Sequence, residues 1–162
     1  MDSGAGDRGG RKHRGGRRGA RAAARHPAAA AVSQDVFDIQ QLGARYAYGL
    51  DTGAANGDYY ANVFTVDGSF GNTVGREKLA ALARDGGGRL RLKGYQHIIT
   101  NVIIEPSPEG AVGSQYVQVL TVGGPGKPPM VDHGGRYEDV YVKTAEGWRI
   151  KTRKFVSTFP PP

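Results

Sequence analysis

The chain has 162 residues, which is enough for one domain with a sizeable core. It contains no cysteine, and this excludes disulfide bonds, thiolate catalysis and cysteine-ligated zinc. No apolar run approaches the ~20 residues that a membrane-spanning helix needs. The sequence therefore predicts a soluble protein with no membrane partner.

The net charge of +7 is concentrated at the N-terminus. Residues 1–34 carry eight Lys and Arg against two Asp, whereas the rest of the chain carries a net charge of only +1. A domain that grips nucleic acid presents a basic surface to the phosphates. The nearly neutral body of this chain therefore argues against nucleic acid as a partner.

Residues 1–32 are predicted to form a disordered tail, because their Arg, Gly and Ala residues offer too little apolar surface to offset ordering. Arg-Gly-Gly steps at Arg8 and Arg14 resemble those of RNA-binding tails. Without interleaved aromatic residues, we favour a solvated extension, or residues added by an upstream start codon. The apolar run after Arg17 and Arg18 is too short for a standard export signal, so we expect a cytoplasmic protein, with an exported form as the alternative.

A single folded domain is predicted over residues 33–158, followed by a Pro-rich end at 159–162. Its first helix begins at Ser33, a suitable N-cap, and places apolar residues at three- and four-residue steps up to Leu50. Asp51 ends this helix. Two shorter helices and a short strand between them follow, at residues 59–64, 75–84 and 69–70.

From Tyr95 onward the apolar period changes from helical to strand-like. Helices first and a meander of strands afterwards predict an α+β fold. We expect a curved mixed, mostly antiparallel sheet that forms a cone-shaped barrel around the three helices and encloses a pocket. The four long strands are predicted at residues 95–104, 111–122, 133–143 and 148–157.

The strand through His97 contains the first candidate site residue. Alternation along a strand puts His97 and Asn101 on the same face as Tyr95. A histidine on an apolar face is either a satisfied core residue or part of a site. Polar residues on the predicted first helix and last strand favour the interpretation of His97 as part of a functional site.

Four motifs together carry a family resemblance. The motifs are Tyr46-x4-Asp51, His97-x2-Thr100-Asn101, Gly135-Arg136-Tyr137-Glu138-Asp139, and Gly147-Trp148-Arg149-Ile150 with Arg153. On these motifs, over about residues 33–157, the sequence resembles the SnoaL-like, scytalone dehydratase-like branch of the nuclear-transport-factor-2-like superfamily, near bile-acid 7α-dehydratase and hexachlorocyclohexane dehydrochlorinase.

The resemblance implies a cofactor-independent lyase. Such an enzyme would eliminate water, or another small leaving group such as formaldehyde, from a cyclic or aromatic small molecule. Asp51 and His97 match the Asp–His pair of these lyases, and Tyr46 and Arg153 match polar residues that accompany the pair. The resemblance also implies a homo-oligomer, a trimer or a dimer, built on the outer face of the sheet.

The same residues suit acid–base chemistry on physical grounds. A neutral histidine such as His97 can take a proton from carbon, and a carboxylate such as Asp51 orients the ring and stabilises the imidazolium. Tyr46 and Arg153 would meet the developing negative charge, and His133 would be a second acid. The rest of the substrate pocket is predicted to contain Tyr137, Asn101, Phe70, Phe64 and Tyr116.

Other readings of the same residues stay open. An isomerase or polyketide cyclase would use the same base without a leaving group, and a non-catalytic binding or interaction module would hold Asp51 and His97 as structural residues. Phe70 stands where scytalone dehydratase has a tyrosine, which argues against scytalone as the substrate. Asp51, His97 and His133 also match a two-histidine, one-carboxylate metal site. The related lyases work without metal, so we expect no metal and no cofactor.

Overall fold

The computed structural model of the protein describes residues 27–86, 94–122 and 126–159. Residues 1–26 of the predicted tail and residues 160–162 of the predicted Pro-rich end lie outside the described residues. Three α-helices precede the long strands, and they are α1 Pro27–Thr52, α2 Asp58–Ala61 and α3 Arg76–Ala81. A π-helical turn, Leu82–Gly86, continues α3.

Six strands follow or separate these helices. They are β1 Phe64–Phe70, β2 Thr73–Val74, β3 Gln96–Ser107, β4 Gly110–Val122, β5 Pro129–Thr144 and β6 Gly147–Ser157. The four long strands occupy the segments predicted for them, although β5 begins earlier than expected.

Helix α1 begins at Pro27 and not at Ser33, so the prediction of Ser33 as the N-cap is wrong. Proline suits the first turn of a helix, where its missing N–H is not needed, and the alanines that follow are strong helix formers. The helix ends at Thr52, as predicted from the sequence around Asp51. Gly53 follows with a left-handed φ of 63° and donates its N–H to the Gly49 carbonyl at 2.9 Å.

The segment predicted as the second helix, residues 59–64, is divided in the structure. Helix α2 ends at Ala61, and Phe64 opens β1, which is longer than the short strand expected from the sequence. β1 runs parallel to β6, with Phe64 beside Ile150. The spacing of apolar residues cannot distinguish a helix from a strand in so short a segment. The pairing of β1 with β6 determines the strand conformation of this segment.

The sheet has the strand order β2-β1-β6-β5-β4-β3. All neighbouring pairs are antiparallel except β1 and β6. Together with the three helices, this mixed, mostly antiparallel sheet confirms the predicted α+β fold. β2 and β3 lie at the two edges, so the sheet curves around the helices without closing within the described residues.

A bulge in β3 interrupts the expected alternation. The pairing with β4 shifts between Thr100 and Ile103, and Asn101 has a positive φ of 53°. Asparagine tolerates this left-handed region better than most residues do. The side chain of Asn101 is exposed, so the prediction that it shares the inner face with His97 is wrong.

The core lies between the inner face of the sheet and the helices. Apolar residues of α1 pack there against apolar residues of the strands, and these contacts bury one face of the helix on the sheet. The helix contributes Ile39, Leu42 and Leu50, and β4 contributes Val117 and Val119. Of the helices in the described part of the chain, none is long and apolar enough to cross a bilayer.

Candidate active site

The Asp51 carboxylate holds His97 at two points. Oδ1 of Asp51 lies 2.5 Å from the ring Nδ1 of His97, and Oδ2 accepts the backbone N–H of His97 at 2.9 Å. Because a carboxylate oxygen only accepts hydrogen bonds, Nδ1 carries a proton, and in the neutral form of the ring Nε2 then presents its lone pair. This is the arrangement of a general base with an orienting carboxylate.

Two elements create this pair. Asp51 is at the C-terminal end of α1, and His97 is at the start of the edge strand β3. The side chain of His97 is 6% exposed and that of Asp51 is 18% exposed. The pair therefore lies where the interior meets the surface and is largely desolvated.

Arg153 is buried between two tyrosine rings. Its Cζ lies 4.2 Å from the ring centroid of Tyr46 and 4.4 Å from that of Tyr137. The Tyr46 hydroxyl donates to the Tyr137 hydroxyl at 3.3 Å. The structure thus brings together three of the predicted site residues, and we call Tyr46, Tyr60, Tyr137 and Arg153 the tyrosine cluster.

Asp139 neutralises Arg153. The guanidinium donates from Nε to Oδ1 and from Nη2 to Oδ2, each at 2.8 Å. The Gln115 amide and the Tyr141 hydroxyl also donate to Oδ2, at 2.8 and 2.6 Å. Burial alone would lower the pKa of Arg153, but the charge and hydrogen bonds of Asp139 raise it, so the guanidinium stays charged. Arg153, which is expected from the sequence to meet the negative charge on the substrate, is thus already paired with a carboxylate.

The tyrosine cluster supplies neutral hydroxyl groups. Burial raises the pKa values of Tyr46, Tyr60 and Tyr137 above the ordinary value of 10.0, so these hydroxyls keep their protons at neutral pH. The Tyr60 ring packs on the Tyr46 ring with a centroid distance of 4.9 Å. Among the described residues, neither the Tyr60 hydroxyl nor Nη1 of Arg153 has a hydrogen-bond partner. Buried polar atoms of this kind are places for a water or a ligand oxygen.

His133 forms a second histidine–carboxylate pair. His97 and His133 both lie opposite Val119, on β3 and β5, so the two histidines share the inner face of the sheet. Nδ1 of His133 lies 2.7 Å from Oδ2 of Asp132, and the Tyr95 hydroxyl donates to Oδ1 of Asp132 at 3.1 Å. The His133 side chain is 50% exposed, so this pair lies at the surface.

Aromatic rings surround Tyr46. The Phe70 ring lies 6.0 Å from Tyr46 and 6.1 Å from Tyr137, measured between centroids. Phe64 packs on the same tyrosine at 6.2 Å and is fully buried. The structure therefore places Phe70 beside the tyrosine cluster, which includes Tyr137, and places Phe64 in the core against Tyr46.

Asn101 and Tyr116 lie on the outer face of the sheet. Tyr116 is 49% exposed and stands between Gln115 and Val117, which are buried, so its ring points away from the helices. Both residues line surface cavities on that side. The prediction that they belong to the interior pocket is wrong, for Asn101 because of the bulge and for Tyr116 because of strand alternation.

Several polar residues around the site were not predicted as site residues. Asp139 stood in a quoted motif, and alternation with Tyr137 gave its inward direction, but no pattern revealed its pairing with Arg153 across β5 and β6. Gln115 also follows the alternation of its strand. Tyr60 carries no such signal, because it lies in the short helix α2.

In the described part of the chain, no group of three His, Asp or Glu side chains is placed to hold a metal ion. Asp51 and His97 pair with each other, whereas His133 pairs with Asp132. The three residues considered as metal ligands are therefore divided between two separate pairs.

Solved structures support the fold. A variant of Rv3472, a protein of unknown function from Mycobacterium tuberculosis, matches with a TM-score of 0.70 and 24% identity, covering 83% of this chain and 78% of that one. An NTF2-like protein with a cystatin-like fold from Novosphingobium aromaticivorans matches with a TM-score of 0.73 and 20% identity, covering 83% and 88%. A protein from the same organism, named as a candidate scytalone dehydratase, matches with a TM-score of 0.67 and 22% identity, covering 81% and 89%.

No significant match was found among curated proteins. The solved structures are less than 25% identical to this chain, so they establish the NTF2-like fold alone. A sequence family is also matched: the model of the SnoaL-like domain aligns with residues 31–154. The resemblance inferred from the motifs is thereby confirmed, and the chain belongs to the SnoaL-like domain family.

Proposed function

We propose that the protein is a cofactor-independent lyase that eliminates water from a cyclic or aromatic small molecule. The observation that carries the proposal is the two-point attachment of His97 to Asp51, which leaves Nε2 free to accept a proton. The candidate scytalone dehydratase among the similar structures supports dehydration as the reaction class.

His97 begins the proposed reaction. Its Nε2 takes a proton from a carbon atom of the substrate, and the electron pair of the C–H bond forms a C=C bond as the C–O bond to the hydroxyl breaks. Asp51 stabilises the imidazolium that forms. The departing hydroxyl takes a proton either from the His97 imidazolium or from a protonated His133. In the second case His97 releases its proton to solvent and His133 regains one from solvent, so that the net change is the loss of one water. No oxidant or reductant is needed.

The tyrosine cluster would stabilise the negative charge that develops on the substrate. Tyr46 supplies a neutral hydroxyl, because burial keeps its pKa high. Arg153 acts through the two rings that enclose it, since Asp139 already occupies two of its nitrogens. In this proposal Arg153 is a positioning residue, and Phe70 and Tyr137 form the aromatic wall that receives the substrate ring.

We also propose that the protein is a homo-oligomer that associates through the outer face of the sheet. Ile103, Tyr116 and Val131 expose apolar side chains there, on three neighbouring strands. Exposed apolar patches of this kind typically mark interaction surfaces. A second copy of the chain would cover the patch as a dimer or a trimer.

A panel of hydroxylated cyclic ketones and diaryl hydroxymethyl compounds tests the proposed reaction. Each compound is incubated with the wild-type protein or with His97→Gln, and the products are resolved by chromatography and mass spectrometry. A product lighter than its substrate by one water, formed by the wild type alone, supports the dehydratase. Loss of formaldehyde would change the leaving group, an unchanged mass in a new compound would indicate an isomerase or cyclase, and no turnover of any compound would favour a binding module.

A further inference from the structure

A cavity outside the candidate active site lies between helices α1 and α2 and strand β6. It has a volume of about 420 Å³, and we call it the arginine cavity. Cavities of this size hold small organic molecules. None of its lining residues belongs to the Asp51–His97 pair or to the tyrosine cluster. The lining residues are Leu42, Arg45, Tyr59, Asn62, Val63 and Arg149.

The polar lining of this cavity is made of hydrogen-bond donors. Arg45 is exposed and makes no hydrogen bond or ion pair with the described residues. Asn62 accepts from Nη1 of Arg76 at 2.6 Å through its Oδ1, which leaves the amide N–H groups of Asn62 as donors. The Tyr59 hydroxyl adds another donor, and none of the described lining residues is acidic.

Arg149 is held in place by its own turn. Its Nη1 donates to the carbonyls of Glu146 and Trp148 at 3.1 and 2.8 Å, and its Nη2 lies 3.2 Å from a Glu146 carboxylate oxygen. The Glu146 side chain is largely exposed, so water screens this ion pair. Arg149 therefore keeps a fixed position and still contributes positive charge to the cavity.

Part of the cavity lining is apolar. Leu42 and Val63 are both buried in the core, and the Tyr59 ring packs edge-on against Tyr48 with a centroid distance of 5.4 Å. A lining that combines two arginines with apolar side chains matches a molecule with an oxyanion at one end and a hydrocarbon body at the other. We infer that the arginine cavity is a second binding site, which takes a small organic carboxylate or phosphate monoester.

NMR titration of the isotope-labelled full chain tests this inference. The probes are benzoate, phenyl phosphate, inorganic phosphate and phenol. We expect benzoate or phenyl phosphate to shift the amide signals of Asn62 and Arg149, with phenol and inorganic phosphate binding more weakly. Shifts confined to other parts of the chain, or binding by none of the probes, would overturn the inference. Equal affinity for inorganic phosphate and phenyl phosphate would show that the cavity does not recognise the hydrocarbon body. Equal affinity for phenol and phenyl phosphate would show that it does not recognise the oxyanion.

A pair of charge-matched variants locates the site. Arg45→Gln removes the unpaired guanidinium from an exposed position and should weaken binding about tenfold, the loss expected for one charge-assisted hydrogen bond. Lys154→Gln removes the same charge from an exposed position outside the lining and should leave affinity within about twofold. Equal affinities in the two variants would show that the probes do not bind in the arginine cavity.

Discussion

The Asp51 carboxylate accepts both the backbone N–H and the ring Nδ1–H of His97, across 46 residues of sequence. The bond to the backbone fixes the carboxylate against the strand, and the bond to the ring then fixes the imidazole against the carboxylate. One acidic residue therefore sets both the position and the tautomer of the proposed base. A histidine that only filled space in the core would need neither a fixed position nor a fixed tautomer.

Asp51→Asn should abolish the basicity of His97 with little change in its position. An asparagine oxygen can still accept the backbone N–H, but its amide N–H groups then face Nδ1 and force the ring proton onto Nε2. We expect the elimination rate to fall by about 10²–10⁴-fold. The ring tautomer is measurable without any substrate, from the ¹⁵N chemical shifts of the His97 side chain.

Asp58→Asn is the matched control for that measurement, since it makes the same change at an exposed acidic residue of α2. The control should keep the wild-type tautomer and rate. An Asp51→Asn variant that retains both would remove Asp51 from the proposed mechanism.

Removing one partner of the buried Arg153–Asp139 pair should strongly destabilise the protein. Asp139→Asn leaves the guanidinium with no matching charge in the interior, and we expect the free energy of unfolding to fall by about 3–5 kcal/mol. Urea denaturation measures the loss. The neighbouring Glu138→Gln breaks an exposed pair with Arg136 and should cost less than about 1 kcal/mol. Similar losses in both variants would contradict the special role of burial.

The spacing of apolar residues and the residues that end helices predicted the parts of the fold that depend on local sequence. The end of α1 at Thr52 and the positions of the long strands followed from turn residues and alternation, and so did the inward direction of His97. Asn101 escaped prediction because a bulge depends on how two strands pair, and the sequence of one strand does not record it. The early start of α1 was concealed by alanines, which favour helix without adding apolar periodicity.

The chemistry of the site was only partly visible in the sequence. The pairing of Asp51 with His97 was predicted through a family resemblance, because nothing in their spacing requires contact. The charge state around Arg153 was not predicted, since the partner Asp139 becomes visible only when β5 and β6 are in register. Contacts between distant segments are fixed by tertiary packing, and single-sequence patterns carry little of that information.

Alkaline pH should destabilise the protein through the tyrosine cluster. Burial raises the pKa values of Tyr46, Tyr60 and Tyr137 above their ordinary value of 10.0, so the unfolded chain loses these protons first. The stabilising effect is complete below pH 10 and is lost as the pH rises above it toward the folded-state pKa values. Urea denaturation across this range, with tyrosinate absorbance as a second signal, measures the loss.

Tyr60→Phe separates this effect from general alkaline damage. The Tyr60 hydroxyl has no hydrogen-bond partner among the described residues, so its removal should leave stability at neutral pH nearly unchanged. The variant should lose less stability than the wild type above pH 10, because one tyrosine with a raised pKa is gone. Identical alkaline curves would show that Tyr60 does not contribute.

Asp35 should stabilise the contact between α1 and the β5–β6 turn. Its Oδ1 accepts from the Trp148 indole N–H at 2.9 Å and from Lys143 at 2.8 Å. The hydrogen bonds from Lys143 and Trp148 lower the pKa of Asp35, so this stabilisation is present above its ordinary pKa and is lost as the pH falls through the lower, folded-state value. The melting temperatures of wild type and Asp35→Asn should differ at neutral pH and converge in acid. A constant difference would contradict an ionic role.

Tyr116→Arg should prevent association of the protein if the outer face of the sheet is the interface. The substitution places a charge in the exposed patch that contains Ile103 and Val131, and a second copy would have to bury it without a partner. Light scattering coupled to size exclusion should show an oligomer for the wild type and a monomer for the variant. Tyr48→Arg, at an exposed tyrosine on α1, is the control and should remain oligomeric. A monomeric wild type would remove the proposed oligomer, and an oligomeric Tyr116→Arg variant would move its interface to another surface.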